Sequence, residues 1–209
     1  MLRSVLLGCV LLLAACGGEG PGDFVYDEGE ISVVEDTVDT GLDTVDITEP
    51  NTSWIEEDCS TELYGPICDF TLMNQYGENV TLSDIAANGA ILLDFSAMWC
   101  GPCNSAGATS QALQDKYEPY GFTYVTVLIE DSYSNEPDLE DLEEWATDYG
   151  VTAPVLAGSR DLLQSSDGPY YLDAWPMFYY IDSSGIIQYY HAGYNEELVD
   201  NNVSVLLGL

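Results

Sequence analysis

Residues 90–95 form a compact apolar run broken only by Asp94, and they lead into Trp99-Cys100-Gly101-Pro102-Cys103 and then a helix-like stretch to about residue 117. This succession limits the fold more than any other feature of the chain. A run of that length suits a buried strand of a parallel sheet, so the two cysteines stand where a strand passes into a helix. Their spacing lets both sulfurs share one disulfide bond, and a helix N-terminus stabilises the thiolate of an attacking cysteine. Cys-x-x-Cys also occurs in zinc sites. A closed zinc site, however, needs two more ligands near Cys100 and Cys103, and no metal is expected.

From Cys59 onward the composition is globular. Phe70-Thr71-Leu72 and Val80-Thr81-Leu82 flank Tyr76-Gly77-Glu78-Asn79 as a short hairpin. Residues 122–129, rich in β-branched and aromatic side chains, predict a second buried strand. Residues 138–149 carry Leu139, Leu142, Trp145 and Ala146 at helical spacing and stop at Gly150, and residues 154–157 suit a short strand. Residues 177–181 and 186–190 pair across Asp182-Ser183-Ser184-Gly185. Residues 195–207 close the chain as a helix with Leu198, Val199, Val203 and Leu206 on one side. Strands alternating with helices, then a late hairpin and a helix, predict an α/β sandwich with a mixed central sheet flanked by helices, preceded by an N-terminal hairpin extension.

The chain of 209 residues has 37 Asp and Glu against 3 Lys and Arg, a formal charge of -34. Holding a phosphate backbone needs cations that are missing here, so nucleic acid is excluded as a partner, and anionic membrane faces are repelled. The acidity reads as a solubility device, relieved by screening in a salty habitat; a preference for basic protein partners is the sharper alternative.

Arg3 and the short apolar run of residues 5–13 read as a targeting segment rather than a mature membrane span. It ends in Leu13-Ala14-Ala15-Cys16, which resembles the lipobox of bacterial lipoproteins. That resemblance implies that residues 1–15 are a signal peptide and that Cys16 is acylated, with several acyl chains giving stable anchoring. Gly17 stands where many inner-membrane lipoproteins carry a retaining aspartate, so an outer-membrane address is expected. Residues 16–58 read as an acidic tether, with no sustained period and with like charges that extend it. Within it Asp36-Thr37-Val38-Asp39 is echoed by Asp43-Thr44-Val45-Asp46. The pattern lacks the graded ligand spacing of a calcium loop, so a spacer is the reading. The domain proper is 59–209. Cys59 and Cys68 read most simply as a structural disulfide stapling its entry, with a second redox pair that exchanges with Cys100 as the alternative.

The segment Leu92-Leu93-Asp94-Phe95-Ser96-Ala97-Met98-Trp99-Cys100-Gly101-Pro102-Cys103 closely resembles the active-site segment of thioredoxin. Trp175-Pro176-Met177-Phe178, followed by Ile181-Asp182 and Gly185, is similar to the cis-proline loop and hairpin of the same superfamily. The surrounding layout resembles the extracytoplasmic TlpA-like and redoxin lineages over residues 68–207. The resemblance implies that Cys100 is the exposed nucleophile, Cys103 the buried resolving thiol and Asp94 the group that accepts the resolving proton. It also implies that Pro176 is cis, exposing backbone to which a substrate pairs as an added strand. Trp99, Trp175, Met177, Gly101 and Pro102 would form the surface that meets substrate. Trp175 departs from the small or β-branched residue usual before this proline. Glu130 falls where TlpA-like reductases often place a glutamate near the active site, and it reads equally as one more solvated acid. Ala108 replaces a common helix proline, so no kink is expected.

Peroxiredoxin chemistry needs a threonine three residues before the reactive cysteine, and Ala97 holds that place. The copper-delivering relatives space their cysteines by three and add a distant histidine; here the spacing is two, and His191 reads as a packing residue. The expectation is therefore a lipid-anchored, extracytoplasmic thiol–disulfide oxidoreductase of the cell envelope, monomeric and without a cofactor beyond its own dithiol. Its partners would be exported proteins with disulfides and a membrane electron donor. The alternative is a surface-anchored binding or copper-handling module without redox turnover.

Overall fold

The computed structural model describes residues 59–166 and 168–209, so the expectations for the leader, for Cys16 and for the acidic tether lie outside the described residues. In chain order the domain runs β1 (Thr71–Met73), β2 (Asn79–Thr81), α1 (Leu82–Ala86), β3 (Ala90–Ala97) and α2 (Gly101–Tyr117). It continues with β4 (Phe122–Glu130), α3 (Leu139–Tyr149), β5 (Val155–Ala157), β6 (Met177–Ile181), β7 (Ile187–Ala192) and α4 (Glu196–Leu206). β1 and β2 form a separate antiparallel pair, and the main sheet has the order β5-β4-β3-β6-β7. β3, β4 and β5 are parallel, while β6 and β7 are antiparallel to them and to each other, so the sheet is mixed as expected.

β3 is the middle strand of the sheet, and every one of its residues is buried. Strand alternation sends its side chains to two different cores. Ile91, Leu93 and Phe95 pack with Val125, Val127 and Tyr179 on one face, under Leu82 and Ile85 of α1. Leu92 packs on the other face with Cys103, Ala106, Tyr124, Trp145 and Val199, the face covered by α2, α3 and α4. Continuous burial of this kind explains why the strand reads as an unalternating apolar run.

α2 runs unbroken past Ala108, ends at Tyr117 and passes through one 3-10 turn to Gly121, whose φ of 74° lets the chain reverse into β4. Its face toward α3 is made shallow by Gly107. A Cβ there would stand 2.8 Å from the Trp145 ring and 2.9 Å from Tyr149, so the two helices approach through a missing side chain. α3 is opened by a reciprocal cap in which Asp138 accepts from the Asp141 amide and Asp141 accepts from the Asp138 amide.

The expected elements are present, with three differences. Leu82, placed at the end of a strand by the sequence, instead opens α1, whose Leu82, Ile85 and Ala86 repeat at helical spacing. In α4, Leu198 is turned outward and 41% exposed, because Val199 and Val203 fill the sheet-facing side. Two 3-10 turns at Arg160–Leu162 and Gln164–Ser166 interrupt a stretch that carried no periodic signal.

Cys59 and Cys68 are joined as a disulfide. The Ile67 amide donates to the Gly185 carbonyl at 2.8 Å, and the Tyr64 amide to that of Ile187 at 2.8 Å. The stapled segment therefore lies at the β6–β7 turn, while Pro176 and Cys100 mark the other end of the sheet. β6 alone separates the two ends by about 13 Å at strand rise.

Gly107→Ala is expected to lower the unfolding free energy by about 1–3 kcal/mol, since the new methyl must displace two packed rings. Urea denaturation followed by far-UV circular dichroism checks it; an unchanged midpoint would show that α2 and α3 are free to separate.

Candidate active site

The β3–α2 connection decides the position of both sulfurs. After Ala97 the chain turns, with the Cys100 amide donating to the Ala97 carbonyl at 3.1 Å, and Cys100 becomes the N-cap of α2 in extended conformation. Its Sγ accepts a hydrogen bond from the Cys103 amide at 3.2 Å. A serine or aspartate would normally receive that amide; here a sulfur does, so the helix terminus stabilises negative charge on Cys100. Pro102 sits in the first turn, where its missing N–H costs nothing. The two sulfurs are bonded to each other. Contrary to expectation, Cys100 is only 4% exposed, because its sulfur is tied inward to Cys103, which has no exposure at all. Gly101 and Pro102 carry the exposed surface of the motif.

Asp94 lies two residues beyond Leu92 and so on the same face of β3, the face that α2 covers and that holds Cys103. It is fully buried. Ser96 Oγ donates to one carboxyl oxygen at 2.7 Å and the Tyr124 hydroxyl to the other at 2.8 Å. Loss of water pushes its pKa up to about 7, and the two hydrogen bonds offset only part of that rise. Burial, and then the neighbouring carboxylate, hold the Tyr124 hydroxyl well above the ordinary tyrosine value. Tyr124 also lines a cavity of about 670 Å³ between α2 and α4. At its rim the hydroxyls of Thr109 and Tyr194 meet at 2.6 Å.

The Trp175–Pro176 peptide is cis. Met177 pairs with Phe95, which places Pro176 just beyond the paired ladder, beside the end of β3. Met177 itself, expected on the substrate surface, is 1% exposed and packs in the core on the opposite face from Cys103. Alternation at the start of β6 turns it away, so its side chain cannot meet a substrate. Trp175 packs against the cluster containing Cys100 and Cys103. Its ring meets Trp99 edge to face at 5.9 Å, and Trp99 is 45% exposed.

Glu130 is not a solvated acid. It is 2% exposed, and one carboxyl oxygen accepts from the Trp99 indole N–H at 2.7 Å. The other is ion-paired with Arg160. The β3–β4 register slips by one residue immediately before Glu130, the kind of bulge that re-aims a side chain. Arg160 and Tyr124 escaped the sequence reading. Arg160 lies in an unpatterned loop, but the rarity of cations in this chain was a usable signal; nothing set Tyr124 apart from fourteen other tyrosines. His191 is sandwiched between Phe178 and Tyr180 at ring distances of 5.1 and 5.7 Å, and burial lowers its pKa. Among the described residues no group of three or more His, Cys, Asp or Glu side chains gathers in a way that could hold a metal ion.

Residues 65–190 match the AhpC/TSA family. The chain belongs to the AhpC/TSA family. Within the wider set of relatives, it is 29% identical over 125 residues to the thioredoxin-like protein YneN of Bacillus subtilis, covering 60% of this chain and 68% of that one. It is 27% identical over 120 residues to the thiol-disulfide oxidoreductase ResA of Geobacillus kaustophilus, covering 57% of this chain and 63% of ResA. Among solved structures, a thiol:disulfide interchange protein DsbE from Chlorobium tepidum superposes with a TM-score of 0.58 at 25% identity, over 71% of this chain and all of that one. The AhpC/TSA domain described here thus has a thioredoxin-like fold, and its homologues are named as thiol–disulfide oxidoreductases and thioredoxin-like proteins.

An acid whose pKa is higher folded than unfolded binds protons on folding between the two values, so stability falls as pH rises through that window. For Asp94 the window runs from 3.8 to about 7. Asp94→Asn is therefore expected to stabilise the oxidised protein at pH 8 by on the order of 4 kcal/mol at most, seen as a higher melting temperature, and to give no gain near pH 4. Thermal melts of the oxidised protein across this range check it; a gain independent of pH would assign the effect to something other than the buried charge.

Proposed function

We propose that this chain is a lipid-anchored, extracytoplasmic thiol–disulfide oxidoreductase that reduces disulfides in exported proteins through Cys100 and Cys103. The observation that carries the reading is the Cys100 sulfur at the N-cap of α2, receiving the Cys103 amide, beside the cis proline Pro176. The reduced enzyme attacks with the Cys100 thiolate. A bond forms from Cys100 to one substrate sulfur, and the other substrate sulfur leaves as a thiolate. Asp94, ionised to a useful extent near neutrality, takes the proton from the Cys103 thiol. The Cys103 thiolate then attacks Cys100, forming the disulfide seen in the structure and releasing the second substrate thiol. Two electrons pass to the substrate, and a membrane electron donor must return them. The peptide edge at Pro176, with Trp99, Trp175, Gly101 and Pro102 around it, receives the substrate backbone.

The envelope address rests on the lipobox-like Leu13-Ala14-Ala15-Cys16 and on the Cys59–Cys68 disulfide, which persists in an oxidising compartment. The family also supports a peroxidase reading in principle. Here Ala97 stands where a hydroxyl is required, and the nearest hydroxyl, Ser96, is committed to Asp94.

Cys100→Ser is expected to abolish insulin reduction in the presence of dithiothreitol. Cys103→Ser should still make the first attack and accumulate a mixed disulfide, visible by mass spectrometry after acid quench. Equilibration with glutathione should give a reduction potential near that of thioredoxin, about -270 mV, whereas a value near -120 mV would reverse the proposed direction. Full activity of Cys100→Ser would remove the proposed nucleophile.

A further inference from the structure

The parallel strands β3, β4 and β5 end, β6 begins and β7 ends at one edge of the sheet, and that edge carries the dithiol. The loops and helix starts there bear Glu136, Asp138, Asp173, Glu196 and Glu197, all exposed. The positive charge at this edge is Arg160, and it is spent on Glu130. Lys116, the other cation among the described residues, lies in the last turn of α2, where it pairs with Asp200 at 2.5 Å. The dithiol therefore sits in a negative field, and among the described residues no free cation opposes it. Beside the sulfurs stands a wall of two indoles. Trp175 precedes the cis proline, Trp99 precedes Cys100, and Glu130 holds Trp99 by its N–H while leaving nearly half of it in solvent. Indole faces attract ammonium and guanidinium groups, most strongly where neighbouring charge is negative.

Building on the oxidoreductase reading above, we propose that the Trp99–Trp175 wall and its acidic surroundings select disulfides whose cysteine is flanked by lysine or arginine. Two physical contributions act at different ranges. The acidic field speeds the encounter with cationic chains and fades once salt shortens the screening length to about 3 Å at 1 M. Contact of the flanking cation with an indole survives salt, because it acts within about 6 Å of the ring. The peptide carboxylates or apolar groups that would replace the cation gain neither contribution. An acidic flank is repelled outright.

The test uses the reduced full-length protein and three disulfide-linked peptides that differ only in the residues flanking cysteine: lysine, leucine or glutamate. Rates of protein oxidation are followed by tryptophan fluorescence at 20 mM and 1 M NaCl. The lysine peptide is expected to react at least ten times faster than the glutamate peptide at low salt, and still about threefold faster than the leucine peptide at high salt. In Trp175→Leu the lysine-to-leucine ratio at high salt should fall to about one. Equal rates for all three peptides, or a preference for leucine, would overturn the selectivity while leaving the oxidoreductase reading intact. A high-salt ratio unchanged in Trp175→Leu would remove the indole wall from the argument. Failure to exchange with any peptide would sink the underlying oxidoreductase reading instead.

Discussion

A carboxyl group without water around it lies at the centre of this domain, and the rest of the structure is arranged to tolerate it. Asp94 stands on a strand buried along its whole length, satisfied by Ser96 and Tyr124. Removing a charge from water is costly unless hydrogen bonds or proton uptake compensate. Here both do: the hydrogen bonds favour the ionised form, burial raises the pKa to about 7, and the acid is therefore only partly ionised at neutral pH. A domain selected for stability alone would place leucine at this position, as it does at Leu92. Keeping the acid is consistent with a need for a proton acceptor behind α2, on the same face as Cys103.

The second organising interaction lies at the rim. Glu130 spans from Trp99 to Arg160, and Trp99 meets Trp175. This chain of contacts links the motif before α2, the end of β4, the loop after β5 and the cis-proline loop. Four separate segments thus share one arrangement, and a shift in any of them is felt at the indole beside Cys100. Arg160 is notable because cations are so scarce; most of the acidic surface is left to solvent and salt, but Glu130, like Asp200 beside Lys116, is given a cationic partner.

Much of the fold was legible because burial patterns are local in sequence. The apolar run into Cys100, the β-branched run of β4, the turn at Asp182-Ser183-Ser184-Gly185 and the spacing of Val199 and Val203 each announce their own element. Met177 was misplaced because its neighbourhood to Pro176 says nothing about which face it takes; alternation at the first residue of β6 decides that. The environment of Glu130 depends on a register slip and on a loop residue thirty positions away, and neither leaves a trace in local pattern. Tyr124 illustrates the same limit, since its role comes from standing opposite Leu92 on the adjacent strand and reaching Asp94 along the diagonal. The burial of Cys100 goes with its bond to Cys103, and no local residue pattern encodes that bond.

The stitching of residues 64–67 to the β6–β7 turn has a geometric consequence. The chain enters the domain at one pole, and the dithiol occupies the other. A macromolecule engaged at one of these ends leaves the other end clear, so contacts made through the Cys59–Cys68 segment need not compete with exchange at Cys100 and Cys103.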